Sequence, residues 1–305
     1  MNSIKNVVSE QHYLNYEDLV HRISESIKKF KTRVYRGQGS DQWDLIPSAF
    51  RPWNGVCKTE KLQVMAELDR CQSFFEEMCA SGFPPFVDHN EIREYFGSVG
   101  VSKGKLVKWI PEKLYELNML MQHYGKPTSM LDWTRNMFIA LFFSAASAII
   151  QGNNIIHGND KIKGRELTDE DRMALFVLNE FELSKLAKQY NLPMKLVMSE
   201  YPGNKRAIAQ EGGLSWEERH FPFGDEEFNP ISLDVRILNY ANENEIQLRN
   251  PLLHKCTISY DQAPSIIKIL GANGYSPEKM YPDDEGKRWQ EQLDKNVETF
   301  EQGPK

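Results

Sequence analysis

Leu19, Ile23 and Ile27 recur every fourth residue along Asn15–Lys29, a spacing that predicts an amphipathic helix. Arg33–Tyr35 reads as a short strand running into Gly37 and Gly39. Thr59–Met78 is a further helical stretch, with Leu62, Met65, Leu68 and Phe75 on related faces. Pro111 opens another helix where proline is tolerated, Leu114, Leu117 and Met121 form its buried stripe, and Gly125 and Pro127 stop it. Met137–Ile150 is the longest apolar run. A membrane span needs about 20 residues, so this run predicts a buried helix. Asp132, Thr134 or Asn136 can cap it, and for Asp132 and Thr134 a capping role is favoured over a binding one.

Beyond that helix the pattern changes. Gln151–Asp171 is polar and glycine-bearing and predicts a long surface loop. Met173–Leu178 (MALFVL) suits a buried strand, and Val235–Leu238 and Cys256–Ile258 are weaker strand candidates. Pro264–Gly271 predicts a helix over Ile266, Ile267, Ile269 and Leu270. Helices dominate the first half and strands the second, so the expectation is one α+β domain whose mixed or antiparallel sheet draws its strands largely from the second half. Residues 1–30 form a helical extension in this reading, 31–290 the main domain and 291–305 a tail.

Composition narrows the function classes. Of 305 residues, 40% are hydrophobic and 26% charged, which excludes a disordered or low-complexity chain. Lys+Arg 37 against Asp+Glu 43 leaves a net charge of −6, so no global basic field attracts nucleic acid. Cys57, Cys71, Cys79 and Cys256 form no CxxC pair, and MNSIKNVVSEQHYLNYEDL lacks the apolar core of a secretion signal. The expectation is a cytoplasmic, reducing setting with buried thiols and no membrane contact. His12, His21, His89, His123, His157, His220 and His254 are scattered, none three or four residues from another, so no metal site is expected.

Two segments concentrate chemistry. Val34-Tyr35-Arg36-Gly37-Gln38 puts an arginine at a strand end beside glycines, where its fixed fork of donors can enter a cleft and a ligand backbone or phosphate can approach. An arginine paired to a carboxylate to pin the strand is the equal alternative. Met121–Thr134 (MQHYGKPTSMLDWT) packs His123, Tyr124, Thr128, Ser129, Asp132 and Trp133 into a turn between two apolar helices. For His123 and Tyr124, binding and structural roles stay open.

The strings YRGQ, QHYGKPTSMLDWTRNMFIALFFSA and MALFVLN resemble the FRG domain, named for its aromatic-Arg-Gly motif. RAIAQEGGLSW and GANGYSPEKMYPDDEGKRW are similar to its C-terminal motifs, which spreads the resemblance over Lys31–Trp289. Ser129 stands where the family often has arginine, and GGLSW where a Gly-x-Phe pattern is more usual.

More distantly, Tyr35-Arg36-Gly37 resembles the first-strand motif of the arginine–serine–glutamate class of ADP-ribosyltransferases, in which arginine holds NAD. That resemblance implies NAD as co-substrate, with Tyr35, Arg36, Gly37, Gln38, Tyr124, Thr128 and Ser129 in contact with it. Glu211, with Gln210, stands for the late glutamate, although AQEGG lacks the usual Glu-x-Glu, and His123 is a further catalytic candidate. A toxin or phage-defence effector fits this reading, and a separate reading is a toxin or antiviral effector hydrolysing some other substrate through His123. The alternative is a non-catalytic nucleotide- or nucleic-acid-binding module, in which Arg33, Arg36 and Arg51 interleave with Trp43 and Trp53.

Overall fold

The computed structural model describes residues 7–29, 32–82, 89–101, 108–159, 162–199, 204–220, 223–248 and 250–303. The first elements are β1 (Val8–Tyr13), α1 (Tyr16–Lys29), β2 (Arg33–Gln38), α2 (Glu60–Ala80), α3 (His89–Val101), β3 (Lys108–Trp109) and α4 (Tyr115–His123). Then come β4 (Leu131–Thr134), α5 (Met137–His157), the short strands β5 (Gly158–Asn159) and β6 (Ile162–Lys163), β7 (Arg172–Asn179), α6 (Glu180–Tyr190) and β8 (Met194–Met198). The rest are α7 (Lys205–Ala209), β9 (Gly212–Glu217), β10 (Arg219–His220), α8 (Leu233–Glu243), β11 (Leu253–Ser259), α9 (Ala263–Ala272), α10 (Pro277–Met280) and α11 (Asp284–Gln302). The class is α+β.

The chain forms two compact units. The first takes Met1–Asp44, Trp133–Tyr190 and Asp234–Lys305. Its strands lie in the order β1-β11-β7-β2, with β4 joined to β2 through Tyr35 and Thr134. β1 runs parallel to β11, and the β11–β7 and β7–β2 pairs are antiparallel, so the sheet is mixed. β7 is buried from Met173 to Asn179, which accounts for its unbroken apolar run. α5 crosses one face of this sheet and forms the unit's core with Tyr35, Leu175, Val177 and Ile258. Ser144, a polar residue inside the apolar run, donates its hydroxyl to the Gln38 and Ala174 carbonyls at 3.0 and 3.1 Å and so ties α5 to β2 and β7. By length and composition alone α5 is long and apolar enough to cross a membrane; here it is the unit's core helix.

Several expectations are corrected in this unit. The stretch from Gln151 does not open a loop: α5 continues to His157, because α11 packs along it. Gly152 lies against the Phe300 ring, and Asn153 Nδ2 donates to the Asn296 carbonyl at 2.8 Å. The remainder is tied by Asp171, which accepts from both Arg165 Nη atoms at 2.7 Å and from the Thr168 N–H at 2.8 Å. Val235–Leu238 is helical, not extended, and lies within α8, whose Leu233, Ile237 and Ala241 are buried at helical spacing. The first 30 residues hold a sheet strand, β1, as well as the expected helix. Strands from the first half therefore contribute more to the sheet than expected.

The second unit takes Leu45–Asp132 and Asn191–Leu233. α2, capped by Thr59 Oγ1 on the Leu62 N–H, packs with α4 and the antiparallel β8–β9 pair around Leu68, Phe74, Leu117 and Trp216. A buried ion pair runs through this core: Arg219 Nη2 lies 3.2 Å from Glu67 Oε1. Trp109 Nε1 and Gln63 Nε2 also donate to the Glu67 carboxylate, at 2.6 and 3.1 Å, and the Arg219 guanidinium lies 5.2 Å from the Phe50 ring centre. Those partners offset the desolvation of both charges. Of the four free thiols, Cys71 and Cys256 are buried, whereas Cys57 and Cys79 are half-buried.

Candidate functional site

The YRGQ segment is strand β2. Alternation along the strand sends Tyr35 and Gly37 to the α5 face and Val34, Arg36 and Gln38 to the other. The close approach that Gly37 permits is used by the chain's own α5: a Cβ there would meet the Ala140 carbonyl oxygen at 1.9 Å. Gly39 abuts Ser147 in the same way. Tyr35 is buried, and burial pushes its phenol up to about 12. On the opposite face, Gln38 Nε2 reaches the Asp44 carbonyl at 3.5 Å, while its Oε1 is buried without a hydrogen-bond partner. Tyr35 and Gly37 thus build the helix–sheet contact, and Arg36 and Gln38 share the other face.

The second motif is a turn that bonds to itself. α4 ends at His123 and Gly125 turns the chain with φ 73°. The Thr128 hydroxyl donates to Gln122 Oε1, and Gln122 Nε2 donates to Asp132 Oδ1 at 2.6 Å, so one glutamine clamps both ends of the turn. Ser48 Oγ accepts from the Thr128 N–H at 3.0 Å, and the Ala49 N–H donates to the Thr128 carbonyl at 2.9 Å. Ser129 is buried beside it. Asp132 is not a cap of α5: it lies on β4, an element too short to announce itself, and Asn136 caps α5 through the Phe138 N–H at 3.1 Å. Thr134 helps one step earlier by accepting from the Asn136 N–H at 3.0 Å.

Within the second unit, α7 draws the sequence candidates together. Asn204 caps it by accepting from the Ala207 N–H at 3.1 Å. Arg206 turns back to α4, donates from Nη1 to the His123 carbonyl at 2.8 Å and lies 4.9 Å from the Tyr124 ring centre, a cation–π distance. The His123 Nδ1 and Asn204 Nδ2 atoms are buried without hydrogen-bond partners. Burial holds the His123 imidazole below its ordinary value against the pull of Asp132, with Arg206 adding to the depression. After α7 come Gln210, buried, and Glu211, exposed, at the entry to β9. Glu211 has φ 49°, in the left-handed region, and its N–H donates to the Ile208 carbonyl at 3.0 Å. His123, Tyr124, Gln210 and Glu211 are therefore linked through one short helix. Arg206, Asn204 and Gln122 were not singled out from the sequence; the signal for Arg206 was a cation held within an otherwise apolar turn of RAIA.

Comparison with protein families matches residues 31–151 to the FRG domain. The matched stretch is similar to the FRG domain and covers less than half of the chain. Comparison with curated proteins and with solved structures finds no match.

The FRG match takes in β2, the Met121–Thr134 turn and α5 as far as Gln151. Arg206, Gln210 and Glu211 lie beyond it. Within the matched stretch, Gly37 admits α5, and Thr128 and Asp132 share Gln122. Among the described residues, no three His, Cys, Asp or Glu side chains cluster as a metal site would require.

Proposed function

We propose that this protein acts on NAD, cleaving the nicotinamide–ribose bond in the manner of ADP-ribosyltransferases, with Glu211 as the carboxylate facing the ribose. In that reaction nicotinamide leaves with the bonding electron pair, oxocarbenium charge develops on the ribose, and water or an acceptor nucleophile takes the sugar. A fixed carboxylate stabilises that charge selectively.

The observation that carries the reading is the backbone of Glu211. A left-handed conformation costs an L-residue about 1–2 kcal/mol, and glycine is the usual occupant just past a helix end. Here the position after the α7 cap holds an exposed glutamate, with Gly212 next in the chain. Asn191 and Glu245 also have positive φ, each just past a helix. Glu211 differs in standing within the AQEGG segment, just past the helix that carries Arg206. Strained backbone of this kind gathers where a side chain must be aimed.

Arg36 and Gln38 support an NAD contact on the first unit. The planar fork of arginine suits a phosphate bidentately, and the buried, unpartnered Gln38 Oε1 is an acceptor that a ligand donor would satisfy. Consumption of NAD also fits a toxin or phage-defence role. Nicotinamide release from NAD tests the proposal.

A second reading has its own observation. Trp53 is 76% exposed, with the Arg51 guanidinium 5.9 Å from its ring centre, an arrangement on which a base can stack. It favours a nucleotide- or nucleic-acid-binding module, and NAD titration discriminates the two by turnover.

A further inference from the structure

The first unit contains a cavity of about 550 Å³ that no part of the NAD reading uses. Its volume lies within the roughly 300–1,000 Å³ of small-molecule sites. β1 and β11 run parallel with Ser9 directly opposite His254, so the two side chains leave the sheet side by side on one face. That face is the cavity's: Ser9 and Gln11 of β1, His254 of β11 and Val177 and Asn179 of β7 all line it.

Ser9 Oγ lies 2.6 Å from His254 Nδ1, and in the tautomer protonated at Nε2 the hydroxyl donates to that nitrogen. Burial, followed by the Arg33 charge, holds the imidazole below its ordinary value against the pull of the Ser9 backbone and Glu10. The base is therefore neutral at pH 7 and ready to take a proton. Arg33 is itself engaged and enters only through its charge. Two amides accompany the pair. Gln11 Oε1 accepts from the Tyr13 hydroxyl at 3.1 Å and Asn179 Oδ1 from the Glu182 N–H at 3.2 Å, which identifies their NH₂ groups as donors. A hydrogen bond that only fastened the edge strand β1 would need neither the concavity nor the donors beside it.

We propose that Ser9 is a nucleophile activated by His254 and that this cavity hydrolyses small carboxylic esters. The Ser9 oxygen attacks the ester carbonyl carbon while its proton passes to His254 Nδ1. The alkoxy group then leaves with the bonding electron pair and takes the proton from Nδ1. Water attacks the acyl group on Ser9 and gives a proton to Nδ1. The acid departs as the Ser9 oxygen leaves with its bonding pair and recovers that proton. The Gln11 and Asn179 amides donate to the carbonyl oxygen while it carries negative charge. The Tyr35–Gln38 segment and Glu211 are not among the lining residues. The site therefore goes beyond the NAD reading and stands or fails separately from it.

The experiment treats the full chain with a fluorophosphonate, which forms a phosphorus–oxygen bond to an activated serine and releases fluoride. Hydrolysis of 4-nitrophenyl acetate is followed on the same samples. The expected result is a label placed on Ser9 by peptide mass, abolished by Ser9→Ala and slowed about a hundred-fold by His254→Gln, with ester turnover falling in step. Ser9→Cys keeps the test open should His254→Gln fail to fold. Beside the imidazole, the new thiol should react with iodoacetamide at least about ten-fold faster than the half-buried Cys57 and Cys79. Absence of label on Ser9 in the wild type, a folded His254→Gln variant labelled at the wild-type rate, or a Ser9→Cys thiol no faster than Cys57 and Cys79 would overturn the proposal. None of these readouts depends on whether NAD is cleaved.

Discussion

Gly37 lies directly against Ala140: a Cβ on the glycine would come within 1.9 Å of the alanine carbonyl oxygen and 2.8 Å of the Ser144 nitrogen. Both neighbours are backbone of the unit's core helix and cannot swing aside. Overpacking a core typically costs about 1–3 kcal/mol, so Gly37→Ala should cost at least about 3 kcal/mol, read as a lower midpoint in urea denaturation. An unchanged midpoint would mean that the helix does not rest on β2 at this point.

Arg36, one residue earlier and on the other face, should behave differently. Arg36→Lys keeps the charge but loses the planar fork. Under the NAD reading, affinity for NAD falls by about 1.5–3 kcal/mol, the usual worth of a charge-assisted hydrogen bond, at an unchanged melting temperature. A lower melting temperature with intact affinity would instead make Arg36 a strand pin.

Acid should destabilise the fold well above the carboxylate range. Burial is the first cause that lowers both His123 and His254 from their ordinary 6.5. Below that pH the unfolded chain takes up protons that the folded chain refuses, so stability is complete above 6.5 and declines as the pH falls toward the lowered folded values. His123 faces Asp132, Asn204 and Arg206, and His254 faces Arg33, Ser9 and Glu10, so the two respond independently. The melting temperature should drop between about pH 7.5 and pH 5.5, and His254→Gln should flatten part of that slope. A flat profile in the wild type contradicts the buried, neutral imidazoles.

Glu211 offers a stability test that is separate from activity. Glycine holds a left-handed backbone without steric cost but loses more freedom on folding, by about 0.5–1 kcal/mol. Glu211→Gly should therefore leave thermal stability level or raise it slightly, whereas Glu211→Ala gains no such relief. A clear loss of stability in Glu211→Gly would show that the carboxylate serves the fold.

The elements legible in the sequence were those with strong apolar periodicity, above all α5, α2 and β7. β1 was missed because VSEQHY is polar and pairs on one side only, with β11, so little apolar signal marks it. β4 has only four residues. Val235–Leu238 misled because a short apolar cluster outweighed the wider Leu233, Ile237, Ala241 spacing. The end of α5 was hidden because its polar residues are stabilised by α11, more than a hundred positions away. At the candidate site, residue types were legible but partners were not: nothing in the string shows that Gln122 joins Thr128 to Asp132, or that Arg206 returns to His123.

The most direct measurement is nicotinamide release from NAD by the wild-type chain, Glu211→Gln and Glu211→Gly, with NAD binding followed by calorimetry on the same samples. The account predicts that the wild type binds and cleaves NAD, while both variants stay folded, still bind it and lose turnover by orders of magnitude. Wild-type protein that neither binds NAD nor releases nicotinamide, or a Glu211→Gln variant that turns over at the wild-type rate, would contradict it.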